Sequence, residues 1–204
     1  MRNIRSMLRI LSHPADGFYE IRYHGQGSVP LALLCVLLMG ISFTTNRIFA
    51  SFVVNNVDPR SVDGLRELAA IFVLVLLFSV GNWSVTCLLN GEGRFRDILT
   101  VTGYALLPMI GFYVAATCIS QFIASGEEVF YGLLIILGTA WTGILLLTGI
   151  MTVHNYTLFK TLITLALTVL AMFIIVFFTL LLADMINQVT VFFRSIYTEL
   201  IFRT

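Results

Sequence analysis

Five long runs of apolar residues, separated by short polar stretches, organise the chain. They cover about 29–53, 68–89, 98–123, 129–153 and 161–183. A lone Arg47 interrupts the first, and the last carries no charged residue. Roughly 20 apolar residues suffice to cross a bilayer as a helix, so each run can span with some tilt. In hydrocarbon every backbone N–H and C=O needs a partner within the protein, and barrel strands are about half this length and alternate in polarity. The pattern therefore predicts an all-α integral membrane protein, a five-transmembrane-helix bundle over 29–183. The connections 90–97, 124–128 and 154–160 are too short to hold a soluble domain.

Both flanks read as amphipathic. In segment 1–28, Ile4, Met7, Leu8 and Leu11 fall on one helical stripe while Arg2, Arg5 and Arg9 lie mostly on another, which predicts a short helix resting on anionic headgroups. Pro14 interrupts it. In segment 184–204, Ile186, Val189, Phe193, Ile196 and Leu200 recur at alternating spacings of three and four, which predicts a second amphipathic helix. Two readings fit these flanks: simple anchors, or faces for a partner, with Arg47, Phe193, Ile196 and Leu200 as candidate interface residues.

Composition sharpens the class. The chain has 204 residues, is 58% hydrophobic and only 11% charged, outside the range of soluble globular domains. A formal net charge of +1 gives no field that would select nucleic acid. The distribution of basic residues is more informative, because Lys and Arg flanking the spans favour the cytoplasm. Arg2, Arg5, Arg9, Arg22, Arg94, Arg96 and Lys160 fall on one side, against Arg60, Arg66, Arg194 and Arg203 on the other. The expected topology is a multi-pass cell-membrane protein with a cytoplasmic N-terminus and an extracytoplasmic C-terminus. Segment 1–28 lacks an apolar run followed by a small-residue cleavage site, so no signal peptide is expected.

The most specific signal lies around the basic connections. The second run ends in Asn90-Gly91-Glu92-Gly93, Arg94-Phe95-Arg96-Asp97 leads into the third, and Gly103-Tyr104 and Pro108 follow. The fourth run contains Trp141 and ends at His154-Asn155-Tyr156, just before Lys160. In order and spacing over roughly residues 14–183, this arrangement resembles the Yip1 domain family, in a compact prokaryotic form without a long N-terminal extension. The resemblance implies a five-span fold and a membrane location. In its eukaryotic branch it implies binding of small GTPases, a role tied to the extension that this sequence does not show.

Polar side chains in the spans form a candidate cluster: Asn82, Trp83, Tyr104, Trp141 and His154, with Pro108 freeing a carbonyl nearby. It reads either as a small cavity open to the cytoplasm or as interhelical hydrogen bonds plus an interfacial aromatic belt. Arg47 either reaches outward to the interface beside Asn55 and Asn56 or meets a partner. Small residues four apart, Gly111 with Ala115, Ala116 with Ser120 and Thr139 with Gly143, suggest close helix packing.

Cys35, Cys87 and Cys118 show no CxxC spacing and read as small buried residues; His13, His24 and His154 are isolated. No metal or cofactor is expected, and neither a phosphate loop nor a nucleophile elbow occurs. Ionisable side chains are nearly absent from the spans. The expected function is therefore non-enzymatic: binding or organising another integral membrane protein or a second copy within the bilayer. The alternative is a small permease or channel that uses the polar cluster.

Overall fold

The computed structural model describes residue 7, residues 9–25 and residues 27–202, with the backbone alone for Leu200. Arg2, Ile4, Arg5, Leu8 and Arg203, and the side chain of Leu200, lie outside the described residues. The elements are α1 (Pro14–Tyr23), α2 (Val29–Phe49), α3 (Gly64–Leu88), α4 (Phe95–Ala105), α5 (Leu107–Ser120), α6 (Glu128–His154) and α7 (Leu158–Phe202), with a 3-10 turn at Pro59–Ser61. Among the described residues, five spans are long and apolar enough to cross a membrane: α2, α3, α4 with α5, α6, and α7.

Local chemistry sets the helix ends. Asp63 caps α3, its Oδ1 accepting from the N–H groups of Leu65 and Arg66. Asn155 closes α6 in the left-handed conformation at φ 53°. The third span is two helices because Pro108 has no N–H to donate to the carbonyl of Tyr104. The chain tightens at Leu106, and α5 begins with Pro108 in its first turn, where a missing donor does no harm.

The centre of the bundle is α4, buried on every side from Ile98 to Ala105. It packs against α2, α3 and α6, while α5 packs against α2 and α6. Apolar side chains gain little from leaving lipid, so close packing and interhelical hydrogen bonds must hold such a bundle together. At Gly103 the approach is backbone to backbone: a Cβ there would lie 2.7 Å from the carbonyl oxygen of Ala32. The expected small-residue contacts are only partly used. Ala116 and Ser120 are fully buried, but Gly111 and Gly143 face open space. Cys35 is buried as expected, whereas Cys87 and Cys118 are exposed on their helices.

Segment 1–28 contributes more than a surface helix. Residues 9–12 are helical, the helix is interrupted at His13 as Pro14 leads one to expect, Pro14 then opens α1, and α1 packs against α6 and α4. Ile10, Phe18 and Ile21 join one core with Ala32, Cys35, Val101, Ala105 and Leu145. The salt bridge from Arg9 to Glu20, at 2.6 Å, ties residues 9–12 to α1. The amphipathic stripe therefore accounts for only part of this segment, because Ile10, Phe18 and Ile21 are enclosed by protein.

The C-terminal helix also differs from expectation. The fifth span and the helix predicted after Ala183 are one uninterrupted α7 of 45 residues. Neither Gly nor Pro occurs within it, so nothing in its backbone chemistry breaks it at Asp184. It packs mainly on α3, with Thr161, Thr164 and Thr168 buried and Met172 against Gly81. Beyond Met172 the side chains are almost all exposed.

Candidate functional site

Connections 89–94 and 155–157 meet at one end of the bundle, the Arg94 end. The turn after α3 is made by Asn90 at φ 54°, and the Gly91 N–H donates to the carbonyl of Thr86 at 2.8 Å. The chain then passes so close to the end of α6 that no side chain fits. A Cβ on Gly91 would lie 2.5 Å from His154 Nδ1, and one on Gly93 would lie 2.6 Å from His154 Cε1. The two glycines of Gly-Glu-Gly are there for space.

That approach lets the Gly93 N–H donate to His154 Nδ1 at 3.2 Å. Nδ1 acts as acceptor, so the neutral ring carries its proton on Nε2. His154 is almost completely buried and stacks on Tyr156 with ring centroids 5.3 Å apart. The Tyr156 hydroxyl donates to the carbonyl of Leu89 at 3.0 Å, and Lys160 Nζ sits 3.9 Å from the Tyr156 ring centre. Burial pushes the Tyr156 phenol above its ordinary pKa range. One His-Asn-Tyr stretch thus clasps the Gly-Glu-Gly turn.

A second clasp joins α1 to the same turn. Arg22 donates to Asp97 Oδ2 at 2.9 Å and to the carbonyl of Glu92 at 2.6 Å. Asp97 also accepts from the N–H of Arg94, which closes the start of α4. Tyr104, wholly buried, holds the junction between α1 and α2: its hydroxyl donates to the Ser28 carbonyl and accepts from the Ser28 N–H, both at 3.2 Å.

The polar residues expected to form one cluster are separated. Asn82 belongs to the α3–α7 contact, where its Nδ2 donates to Thr168 Oγ1 at 3.0 Å. Tyr104 holds Ser28, and His154 holds the Gly-Glu-Gly turn. Trp83 is 45% exposed with its ring edge-on to Phe95, and Trp141 is 41% exposed. Trp141 and Pro108 line an outward-facing groove of about 500 Å³ with Leu11 and Phe112, and that groove is apolar. The side chains fall into separate contacts because α4 fills the middle of the bundle.

The opposite end, near Glu127, is held by its own polar contacts. Arg47 forms a salt bridge with Glu67 at 2.6 Å, and Thr44 donates to the same carboxylate at 3.0 Å. Arg47 thus pairs within the chain instead of reaching out alone. Asn46, nearly buried, donates to Thr117 at 2.9 Å and accepts from Tyr131 at 2.7 Å, joining the first, third and fourth spans. Phe193 and Ile196 are exposed on the outer part of α7.

Sequence reasoning missed Arg22 with Asp97, Ser28 and Asn46. Each makes its contact across at least 71 residues of chain, and no local pattern marks such a partner. Among the described residues no group of three His, Cys, Asp or Glu side chains could hold a metal. Arg22, Asp97, His154 and Tyr156 are engaged in holding helices to turns at the Arg94 end.

No curated protein and no solved structure matches the chain. A family model, the Yip1 domain, matches residues 8–180, which takes in the inserted N-terminal segment, both clasps and the packed part of α7. The chain belongs to the Yip1 domain family.

Proposed function

We propose that this Yip1 domain protein is a non-enzymatic, multi-pass component of the cell membrane that works by contact, holding another integral membrane protein or a second copy of itself. The observation that carries this reading is the outer part of α7. Phe193 and Ile196 are 65% and 40% exposed on a helix that has left the bundle, and they share a stripe with Ile186 and Val189. A helix that continues past the bundle with an open apolar stripe is suited to another helix. The separation of Asn82, Tyr104 and His154 into distinct contacts further favours this role over a permease, since among the described residues no hydrogen bond links one of these contacts to another.

The proposed orientation puts the Arg94 end in the cytoplasm. Arg22, Arg94, Arg96 and Lys160 gather at that end, while Glu127 and Glu128 lie at the start of α6 at the other.

The test uses photo-crosslinking amino acids at Phe193 or Ile196, on the stripe, and at Asn187, on the opposite face, in intact cells. Protein adducts at 193 and 196 but not at 187 are the expected result. Adducts to lipid alone at all three positions would remove the contact role from this helix.

A further inference from the structure

We infer that the Arg94 end carries a site for the phosphate group of an anionic lipid headgroup, between α1 and the start of α4. A cavity of about 240 Å³ opens there, lined by Ile21, Arg22, Gly25, Arg94, Arg96 and Asp97 among others. Three arginines line it against one acidic residue. Asp97 is already paired with Arg22, and Arg94 and Arg96 are exposed and form no ion pair among the described residues.

Arg22 is poised on the cavity wall. Its two terminal nitrogens are committed to Asp97 and to the carbonyl of Glu92, whereas its Nε is enclosed and has no hydrogen-bond acceptor among the described residues. A buried guanidinium donor without an acceptor is costly, so this corner carries positive charge that the protein itself satisfies only in part. The N–H groups of Phe95 and Arg96 open the 11-residue α4 and also lack acceptors among the described residues. Gly25, at φ 61°, leaves one side of the cavity without a side chain.

Several guanidinium forks around one small space match the oxygens of a phosphate better than a single carboxylate would. Depth identifies the source. The third span begins at Phe95, so the cavity lies where headgroups lie, and basic pockets at the ends of spans select anionic lipids. This site is independent of any protein partner at α7.

Native mass spectrometry of the purified full chain in detergent tests the site, with phosphatidylglycerol and phosphatidylcholine as probes. The Arg94→Gln, Arg96→Gln double variant removes the two exposed cations and leaves Arg22 and its structural contacts alone. Arg60→Gln with Arg66→Gln is the control for loss of charge elsewhere. Wild type and control should retain phosphatidylglycerol over phosphatidylcholine, and the Arg94/Arg96 variant should lose about thirtyfold of that preference. Equal retention by that variant and the control would overturn the site. Displacement of phosphatidylglycerol by millimolar inorganic phosphate, but not by chloride at equal ionic strength, would overturn the lipid as the source and leave free phosphate in its place.

Discussion

The backbone N–H of Gly93 donates to Nδ1 of His154 at 3.2 Å, although 61 residues separate them. The bond forms only because Gly93 and Gly91 have no side chains. Gly93→Ala should therefore push the turn off the end of α6 and lower the unfolding temperature in detergent. Leaving a buried donor unpaired costs about 1–3 kcal/mol. Gly103→Ala should be at least as damaging, since the Ala32 backbone cannot move aside. Gly111→Ala meets nothing within 4 Å and should leave the unfolding temperature unchanged. Equal melting of all three variants would contradict the packing described above.

The α3–α7 contact yields a second prediction. Asn82 and Thr168 are both fully buried and hydrogen-bonded at 3.0 Å within the membrane region. A double-mutant cycle with Asn82→Ala and Thr168→Val should give a coupling of about 0.6 to 1.7 kcal/mol, the range typical of hydrogen bonds between membrane helices. Strictly additive effects would mean that the two side chains do not act together.

The sequence made some of this architecture legible and concealed the rest. Apolar run length located five spans, and Pro108 marked the break in the third, because both follow from backbone hydrogen bonding alone. Gly-Glu-Gly and His-Asn-Tyr stood out as motifs, yet that one clasps the other depends on α3 and α6 lying on adjacent sides of α4. The pairing of Arg22 with Asp97 was hidden because both read as interfacial charges. Ile10, Phe18 and Ile21 sit outside the stripe that suggested a surface helix, and only the groove between α4 and α6 shows where they go. Ending the fifth span at Ala183 rested on the charge of Asp184, whereas helix continuity depends on Gly and Pro, and neither is present.

A third prediction concerns the outer part of α7. Phe193→Asp with Ile196→Asp places two charges on the apolar stripe and removes side chains worth about 1.5–3 kcal/mol each when fully buried. Co-purification of a membrane partner, or recovery of an oligomer, should fall sharply while insertion of the five spans stays intact. Undiminished co-purification would exclude this helix as the docking face.

Orientation is the fourth. On a background lacking Cys35, Cys87 and Cys118, single cysteines at Arg94 and Glu127 can be exposed to an impermeant thiol reagent in intact cells. The cysteine at 127 should be labelled and the one at 94 should not. The reverse pattern would invert the topology.

The unbroken backbone of α7 has a mechanical consequence. Its grip on the bundle lies near Thr168, and Phe202 stands about 50 Å further along a straight helix. A change of about 10° in tilt at that grip sweeps the far end through about 9 Å. In a rigid helix of this length, a small rearrangement where Asn82 meets Thr168 would be enlarged several-fold at the tip, with the fulcrum at that contact and the long arm beyond it.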